Sequence, residues 1–261
     1  MQAMPPGAML AVRLPEAELR AELGEALDLA AVNAPSLCVA AGPKVEIEAL
    51  NARLSARGVM CRPLAVSHAF HSRSLDPALP EIERAAAGVA LQAPRRTFAS
   101  SVTGGWATAA QATDPKYWAR HGRDTVRFAD ALTTVARDDR PFLLEVGPGR
   151  NLAGLAAQIV DRRTLAGVSA SLADAEAEDL RDALGAMWSA GFDLDWNQVG
   201  AAEGRRIPLP TYRFQRTRHW IERSAGRARR AATTAPAVEV APAAATAPVA
   251  SPAEAAGFRA A

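Results

Sequence analysis

Apolar and polar positions in the first 70 residues alternate between patterns typical of strands and of helices. Short apolar runs predict strands at residues 8–12, 28–32 and 37–41, and a final strand that ends at residues 64–66. Residues 15–23 are rich in acidic side chains and begin with proline, which is typical of a first helical turn. Gly42-Pro43 opens and Gly58 closes a second helix with apolar residues at helical spacing. This order predicts a complete ferredoxin-like βαββαβ subdomain over residues 1–70.

After residue 70 the pattern becomes one of helices alternating with strands, so the predicted fold class is α/β. Helices are predicted at residues 80–87, 126–135 and 151–160, and strands at residues 98–102 and 142–146, the second of them buried. We interpret residues 71–162 as part of a larger, mostly parallel sheet. Residues 163–223 are predicted to form a third, smaller α/β unit with a helix at 175–190. The Ala/Pro-rich residues 224–261 have the composition of a flexible tail.

Composition narrows the classes of function. The chain has 261 residues and a formal net charge of +2, so its charge does not indicate a nucleic-acid partner, and none is expected. No apolar run reaches the roughly 20 residues that span a bilayer, and the N-terminus lacks the features of a secretory signal, so we expect a cytoplasmic protein without a membrane partner. Cys38 and Cys61 are too few for a disulfide scaffold, and no HExxH or CxxC motif indicates a metal site. Cys38 and Cys61 are both expected to be buried free thiols.

Two histidines, His68 and His71, lie within the segment Ser67-His68-Ala69-Phe70-His71-Ser72, where a strand ends and a helix is predicted to begin. Neutral imidazole is the commonest general base near pH 7, and a hydroxyl nucleophile needs such a base. Histidines that only fill a strand-to-helix junction are an equal alternative. Spacing alone leaves both interpretations open.

Other candidate motifs are weak. No G-x-S-x-G nucleophile motif occurs in the chain, and Ser100 and Ser101 follow a predicted strand without flanking glycines. Gly147-Pro148-Gly149 precedes a helix, where backbone N–H groups bind anions, but it lacks a P-loop lysine and is interpreted as a structural turn. His121, considered alone, is interpreted as a residue on the surface of a helix.

Several strings together resemble one family. His68-Ala69-Phe70-His71-Ser72 resembles the HAFHS motif of malonyl-type acyltransferase domains in modular polyketide synthases. Other strings agree in order and spacing: Pro5-Pro6-Gly7-Ala8-Met9-Leu10-Ala11-Val12, Ala31-Val32-Asn33-Ala34-Pro35, Ser101-Val102-Thr103-Gly104, Tyr117-Trp118, Val126-Arg127-Phe128 and Glu145-Val146-Gly147-Pro148-Gly149. Leu209 to Trp220 resembles the segment that closes the linker after the acyltransferase. The resemblance covers about residues 1–222.

The resemblance implies a fold and a reaction. Residues 71–162 would be the C-terminal remnant of an α/β-hydrolase-like acyltransferase subdomain. A serine would take the malonyl group from malonyl-CoA, and the phosphopantetheine thiol of an acyl carrier protein would then receive it, with His71 as the base in both steps. His68 and Phe70 would line the acyl pocket, where phenylalanine replaces the smaller serine of methylmalonyl-type motifs. His121 would line the same pocket, at a position that is often glutamine in related transacylases.

The resemblance also implies partners and a limit. No bound cofactor is expected, and the partners would be the acyl carrier protein and a ketosynthase domain. The family's GHSxG serine, the arginine that follows it and a glutamine loop are absent from the sequence. We therefore expect this chain to be inactive alone and an N-terminal acyltransferase half to be a further partner. The alternative is a non-catalytic docking or scaffold protein of a polyketide synthase. Nucleic-acid binding through the ferredoxin-like unit is disfavoured, because its strands lack RNP-type aromatics.

Overall fold

The computed structural model describes residues 4–137, 140–161, 163, 165–172, 177–196, 198 and 208–214. The chain divides into two units, residues 1–204 and 205–261. In the second unit the described segment 208–214 contains no helix or strand, and the rings of Tyr212 and Phe214 contact each other edge to face. The predicted linker beyond residue 214 and the predicted tail 224–261 lie outside the described residues. Among the helices of the described residues, none is long and apolar enough to span a bilayer.

The first unit begins with a four-stranded antiparallel sheet. Its elements are β1 (Ala8–Val12), α1 (Glu16–Leu23), β2 (Asp28–Ala34), β3 (Leu37–Gly42), α2 (Lys44–Ala56) and β4 (Cys61–Pro63). The strands lie in the order β2-β3-β1-β4. β1 is central and pairs with β3 on one side and β4 on the other, both antiparallel. The observed order of strands and helices is therefore the one that the apolar pattern predicts.

Alternation along β1 gives the sheet two buried faces. Leu10 and Val12 point into a cluster that includes Leu19 of α1 and Leu50 and Leu54 of α2. The preceding residue Met9 belongs to a second cluster with Ala31, Val39 and Ala69, and Phe70 and Val126 pack against that cluster. Because successive side chains of a strand point to opposite faces, one face carries the helices. The other face carries the loop that contains the histidine motif.

The edge strand β4 ends earlier than predicted. Its pairing with β1 ends at Pro63, whereas the final strand is predicted to end at residues 64–66. The Val66 N–H donates to the carbonyl of Leu64 at 2.9 Å, which turns the chain away from the sheet. Cys38 in β3 is fully buried, and burial raises the pKa of its thiol to about 11. Cys61 on the edge strand is only partly buried, so the prediction of a buried thiol is wrong there.

The next segment is helical. It contains a 3₁₀ helix (Arg73–Ala78), α3 (Leu79–Ala87), α4 (Ala109–Ala112), α5 (Pro115–Arg123) and α6 (Phe128–Ala136). The strand predicted at residues 98–102 is wrong, since only one isolated bridge forms there, between Ala99 and Trp106. The Ser100 hydroxyl accepts hydrogen bonds from the backbone N–H groups of Val102 and Thr103 and so closes a turn in place of a strand.

A parallel pair of strands follows, β5 (Phe142–Pro148) and β6 (Gly167–Leu172), joined through α7 (Asn151–Ile159) and followed by α8 (Ala177–Ser189). The prediction that residues 142–146 are buried is wrong in part, because Leu144 is 37% exposed and Val146 is 82% exposed. Among the described residues, β5 pairs with a single strand, β6, and parallel sheets normally gain their burial from further strands and from helices on both faces.

The glycine-rich turn at the end of β5 lies beside a carboxylate of the chain itself. Gly147 and Gly149 have φ angles of 146° and 89°. The carboxylate of Glu145 accepts hydrogen bonds from the backbone N–H groups of Leu152 and Ala153, at 3.2 and 2.9 Å, in the first turn of α7. A side chain of the chain itself thus satisfies the donors that would otherwise face a bound anion. This arrangement agrees with the interpretation of the motif as a structural turn.

Candidate active site

The histidine motif is attached to the sheet through Gly7, the residue before β1. The Gly7 N–H donates to the carbonyl of Ser67 at 3.0 Å. A Cβ atom at Gly7 would lie 2.7 Å from both the Cβ and the backbone nitrogen of Ala69. The motif therefore rests against a backbone position without a side chain, and Ala69 is completely buried there.

Ser72 fixes the end of the motif. Its buried hydroxyl donates to the carbonyl of Ala69 at 2.6 Å and accepts from the N–H of Ser74 at 3.2 Å, so it caps the 3₁₀ helix. Between these contacts His71 has a φ of 55°, in the left-handed region that non-glycine residues rarely occupy. Such conformations persist where surrounding contacts impose them, and they cluster at functional sites.

His71 has the geometry of a general base. Its Nδ1 atom lies 3.1 Å from the backbone carbonyl oxygen of Asp124. A carbonyl only accepts, so Nδ1 carries the proton in this bond and Nε2 carries the lone pair. Burial lowers the pKa of His71 below its ordinary value, the bond to Asp124 opposes this, and the charge of nearby His121 lowers the pKa further. The ring is therefore neutral near pH 7, with a basic nitrogen at Nε2.

Asp124 is held in place by the free edge of β2. In the residues that follow it, the Thr125 hydroxyl donates to the carbonyl of Leu29 at 2.7 Å. Val126 forms a parallel bridge with Ala31, through hydrogen bonds of 2.8 Å on both sides. This segment thus extends the sheet by one short bridge and places the Asp124 carbonyl beside the histidine motif.

His121 lies one turn before Asp124, at the end of α5. Its Nε2 atom is 3.0 Å from the hydroxyl of Ser101, and its ring lies near those of Tyr117 and Trp118, with centroid distances of 6.3 and 6.0 Å. The ring is half-buried, so the interpretation of His121 as a surface residue of a helix is only partly right. The structure brings His121 close enough to His71 to influence its protonation.

The remaining two predicted residues lie together on the motif. The rings of His68 and Phe70 are 6.0 Å apart at an angle of 48°, and the hydroxyl of Ser67 lies 2.8 Å from Nδ1 of His68. Phe70 also packs partly buried against the second face of the sheet. Sequence reasoning missed Asp124, whose contact uses only its backbone carbonyl. It considered Ser101 only as a nucleophile without flanking glycines, and not as a partner of His121. Within the described residues, no three His, Cys, Asp or Glu side chains cluster as metal ligands do.

Comparison with known proteins identifies the family. The family model described as "Acyl transferase domain" matches residues 1–172. The chain belongs to this acyltransferase domain family. Its relatives are polyketide synthases: one component of the phenolphthiocerol/phthiocerol polyketide synthase of Mycobacterium tuberculosis is 39% identical over 228 residues, covering 85% of this chain and 15% of that protein. Polyketide synthase GfsB of Streptomyces halstedii is 39% identical over 234 residues, covering 87% of this chain and 4% of that protein. The chain thus spans a small part of these relatives.

Solved structures agree with this assignment. The acyltransferase domain from the second module of the salinomycin polyketide synthase has a TM-score of 0.71 and 36% identity, with 80% of this chain and 51% of that chain covered. The acyltransferase domain of SpnD, in complex with 2-(pent-4-yn-1-yl)malonyl, has a TM-score of 0.67 and 40% identity, with 71% and 47% covered. The chain therefore has the mixed α/β fold of polyketide synthase acyltransferase domains and corresponds to about half of each.

Proposed function

We propose that this chain is the part of a malonyl-CoA:acyl carrier protein acyltransferase that carries the catalytic histidine. Such an enzyme loads extender units in polyketide biosynthesis. His71 carries the proposal: it lies in the motif that ends at Ser72, its Nδ1 faces the Asp124 carbonyl, and burial favours its neutral form. A neutral imidazole oriented through one nitrogen is what a hydroxyl or thiol nucleophile requires of its base.

The proposed reaction has two half-reactions. First, Nε2 of His71 takes the proton of a serine hydroxyl while the serine oxygen attacks the thioester carbonyl of malonyl-CoA, and the imidazolium returns the proton to the departing CoA thiolate. Second, His71 takes the proton of the carrier protein's phosphopantetheine thiol as its sulfur attacks the acyl-serine, and the proton passes to the serine oxygen. The G-x-S-x-G serine does not occur in these 261 residues. We therefore propose that the chain alone forms no acyl-enzyme.

Substrate preference is assigned to the pocket wall. His68, Phe70 and His121 are proposed to line the acyl pocket, and the contact between the rings of His68 and Phe70 supports a narrow wall. Discrimination between substrates that differ by one methyl group is worth about 1–3 kcal/mol of binding free energy in such a pocket. Malonyl is thus preferred over methylmalonyl, and a Phe70→Ser variant should shift loading toward methylmalonyl by roughly 10- to 200-fold in ratio. An unchanged ratio in a competition assay would remove Phe70 from the specificity wall.

The domain assignment belongs to the same proposal. Residues 1–70 form a ferredoxin-like subdomain, residues 71–162 the C-terminal part of the α/β-hydrolase-like subdomain, and residues 163–223 the linker that follows the acyltransferase. Exposure of Leu144 and Val146 on β5 supports an N-terminal acyltransferase half as a partner, since that half would supply further parallel strands. The acyl carrier protein and a ketosynthase domain are the other proposed partners.

The test uses labelled malonyl-CoA and intact-mass measurement. The 261-residue chain is incubated alone, and then with a separately expressed acyltransferase half that carries the GHSxG serine and with holo-acyl carrier protein. We expect no adduct on the chain alone, and loading of the carrier protein by the mixture that is lost with His71→Gln. A stable malonyl adduct on the chain alone, or loading that does not depend on His71, would contradict the proposal. Binding of the added half without any loading would favour the docking or scaffold function.

A further inference from the structure

Ser101 contacts both ends of the segment that carries Asp124. Its hydroxyl lies 3.0 Å from Nε2 of His121, three residues before Asp124. Its backbone carbonyl accepts a hydrogen bond of 2.6 Å from the N–H of Arg127, three residues after Asp124. The carbonyl that orients His71 is therefore enclosed between two contacts of a single serine.

The turn that presents Ser101 is held by hydrogen bonds to Ser100. Ser100 is buried and accepts hydrogen bonds from the phenol of Tyr117 at 2.7 Å and from the N–H groups of Val102 and Thr103. Tyr117 belongs to α5, which carries His121 in its last turn and is followed directly by Asp124. The turn and the end of α5 are thus joined by one side-chain bond to Ser100 and a second to Ser101.

The charged groups around this end of α5 are paired with one another. Arg120 pairs with the carboxylate of Asp124 at 2.7 Å, Arg123 pairs with Asp76 of the 3₁₀ helix, and Arg73 next to the motif pairs with Asp28 of β2 at 3.0 Å. Each cation therefore has its own carboxylate. The Ser101–His121 contact is instead a hydrogen bond between a hydroxyl and a half-buried imidazole. It lies next to Asp124, whose carbonyl contacts His71.

We propose that Ser101 is a positioning residue of the acyl-transfer site: through His121 and Arg127 it fixes the segment that carries the Asp124 carbonyl, and so aligns His71. This inference rests on the proposed role of His71 as base. Ser101 is assigned no covalent step. Its hydroxyl bonds His121, the N–H groups of the turn are taken by Ser100, and the serine acts on the base only through the backbone of Asp124.

The test reads the tautomer of His71 and needs no catalysis. The chain has four histidines, so the ring nitrogens of His71 can be assigned by ¹⁵N NMR with the His71→Gln spectrum as reference. In the natural chain, above its titration midpoint, we expect the Nδ1–H tautomer that the Asp124 carbonyl selects. In Ser101→Ala the carbonyl is released, and we expect a loss of the Nδ1–H population. Ser101→Thr keeps the hydroxyl and should restore it.

His121→Asn is a second route to the same change, and it keeps the inference testable if Ser101→Ala does not fold. The double variant Ser101→Ala/His121→Asn should be no more affected than either single variant, because both act through one bond. An unchanged Nδ1–H tautomer in folded Ser101→Ala or His121→Asn would overturn the inference, and so would a malonyl adduct on Ser101. In the mixture with the serine-bearing half, we expect Ser101→Ala to lower kcat by up to about 100-fold with KM nearly unchanged. If the natural chain shows the tautomer but its mixture with the serine-bearing half loads no carrier protein, the proposed function is refuted and this inference still stands.

Discussion

The Nδ1 atom of His71 lies 3.1 Å from the backbone carbonyl oxygen of Asp124, a residue 53 positions further along the chain. The bond joins the loop after β4 to the end of α5. A backbone acceptor has an advantage over a carboxylate here, because it orients the ring without stabilising the imidazolium as strongly as a negative charge would. The imidazole of His71 can thus stay neutral.

The depressed pKa of His71 predicts a pH dependence of stability. Burial is the main cause of the shift, so the unfolded chain binds the proton more readily than the folded chain. Stability from this residue is therefore fully present above the ordinary histidine pKa of 6.5 and is lost as the pH falls from there through the folded-state value. Urea unfolding at pH 8 and pH 5 should show a smaller loss of stability on acidification for His71→Gln than for the natural chain. Equal losses would contradict the prediction.

Gly7 should not tolerate a side chain. In Gly7→Ala the new Cβ would lie 2.7 Å from the backbone nitrogen of Ala69, which cannot move without displacing the histidine motif. We expect a loss of about 1–3 kcal/mol in the free energy of unfolding. Changed chemical shifts of His71 should accompany it.

The matched control is Gly154→Ala in α7, where a Cβ meets no atom within 4 Å. Alanine replaces glycine favourably in a helix, so this variant should be neutral or up to about 1 kcal/mol more stable. Chemical denaturation of both variants measures the difference. If Gly7→Ala were as stable as Gly154→Ala, the close approach of the motif to Gly7 would not matter for stability.

The sequence predicts correctly those elements that neighbouring residues determine, and fails where a side-chain contact to the backbone intervenes. The alternation in β1 and the helical spacing in α2 are properties of neighbouring residues, and both elements form where the pattern predicts them. The strand predicted at residues 98–102 fails because the Ser100 hydroxyl captures two backbone N–H groups. The spacing of apolar residues carries no information about a polar side chain that competes for backbone hydrogen bonds.

The residues of the candidate site also differ in whether the sequence alone could indicate them. His68, Phe70 and His71 lie in one motif, so the sequence proposes them together as candidates. Asp124 acts through its carbonyl, a group that every residue has, so the sequence carries no mark of it. Ser101 meets His121 only because its turn folds against α5. Such partners are set by tertiary packing, and a pattern of residue types does not contain them.

Ser72 should be important for the shape of the motif. Its hydroxyl is buried and both donates to Ala69 and accepts from Ser74, so Ser72→Ala leaves two backbone groups without a partner. We expect a loss of about 0.5–2 kcal/mol in the free energy of unfolding, as for other helix caps. Ser189→Ala at the exposed end of α8 is the matched control and should stay within about 0.5 kcal/mol of the natural chain. Thermal or urea unfolding of the two variants checks the prediction, and equal stability would argue against the cap.

Arg127 joins the segment after Asp124 to helix α1. Its Nη1 atom contacts both carboxylate oxygens of Glu16, at 2.8 and 2.9 Å, its Nε atom contacts Asp130 at 2.6 Å, and its side chain is only 27% exposed. Hydrogen bonds to charged groups contribute about 1.5–3 kcal/mol, so Arg127→Ala should destabilise the chain by an amount of this order. Arg127→Lys keeps the charge but not the two-pronged contact and should recover only part of the loss. Arg20→Ala removes the more exposed partner of the same carboxylate and should cost about 0.5 kcal/mol or less.

The same contact predicts a response to acid. Burial raises the pKa of Glu16, but the hydrogen bonds and charges of Arg127 and Arg20 outweigh it, and the net pKa lies below the ordinary 4.5. The carboxylate therefore contributes stability that is present above pH 4.5 and is lost as the pH falls through the folded-state value. Without Arg127 that contribution shrinks, so the stability curves of Arg127→Ala and the natural chain should converge on acidification below pH 4.5. Curves that remain parallel down to about pH 3 would show that the pairing with Glu16 does not stabilise the fold, and that the loss in Arg127→Ala comes from Asp130 or from packing alone.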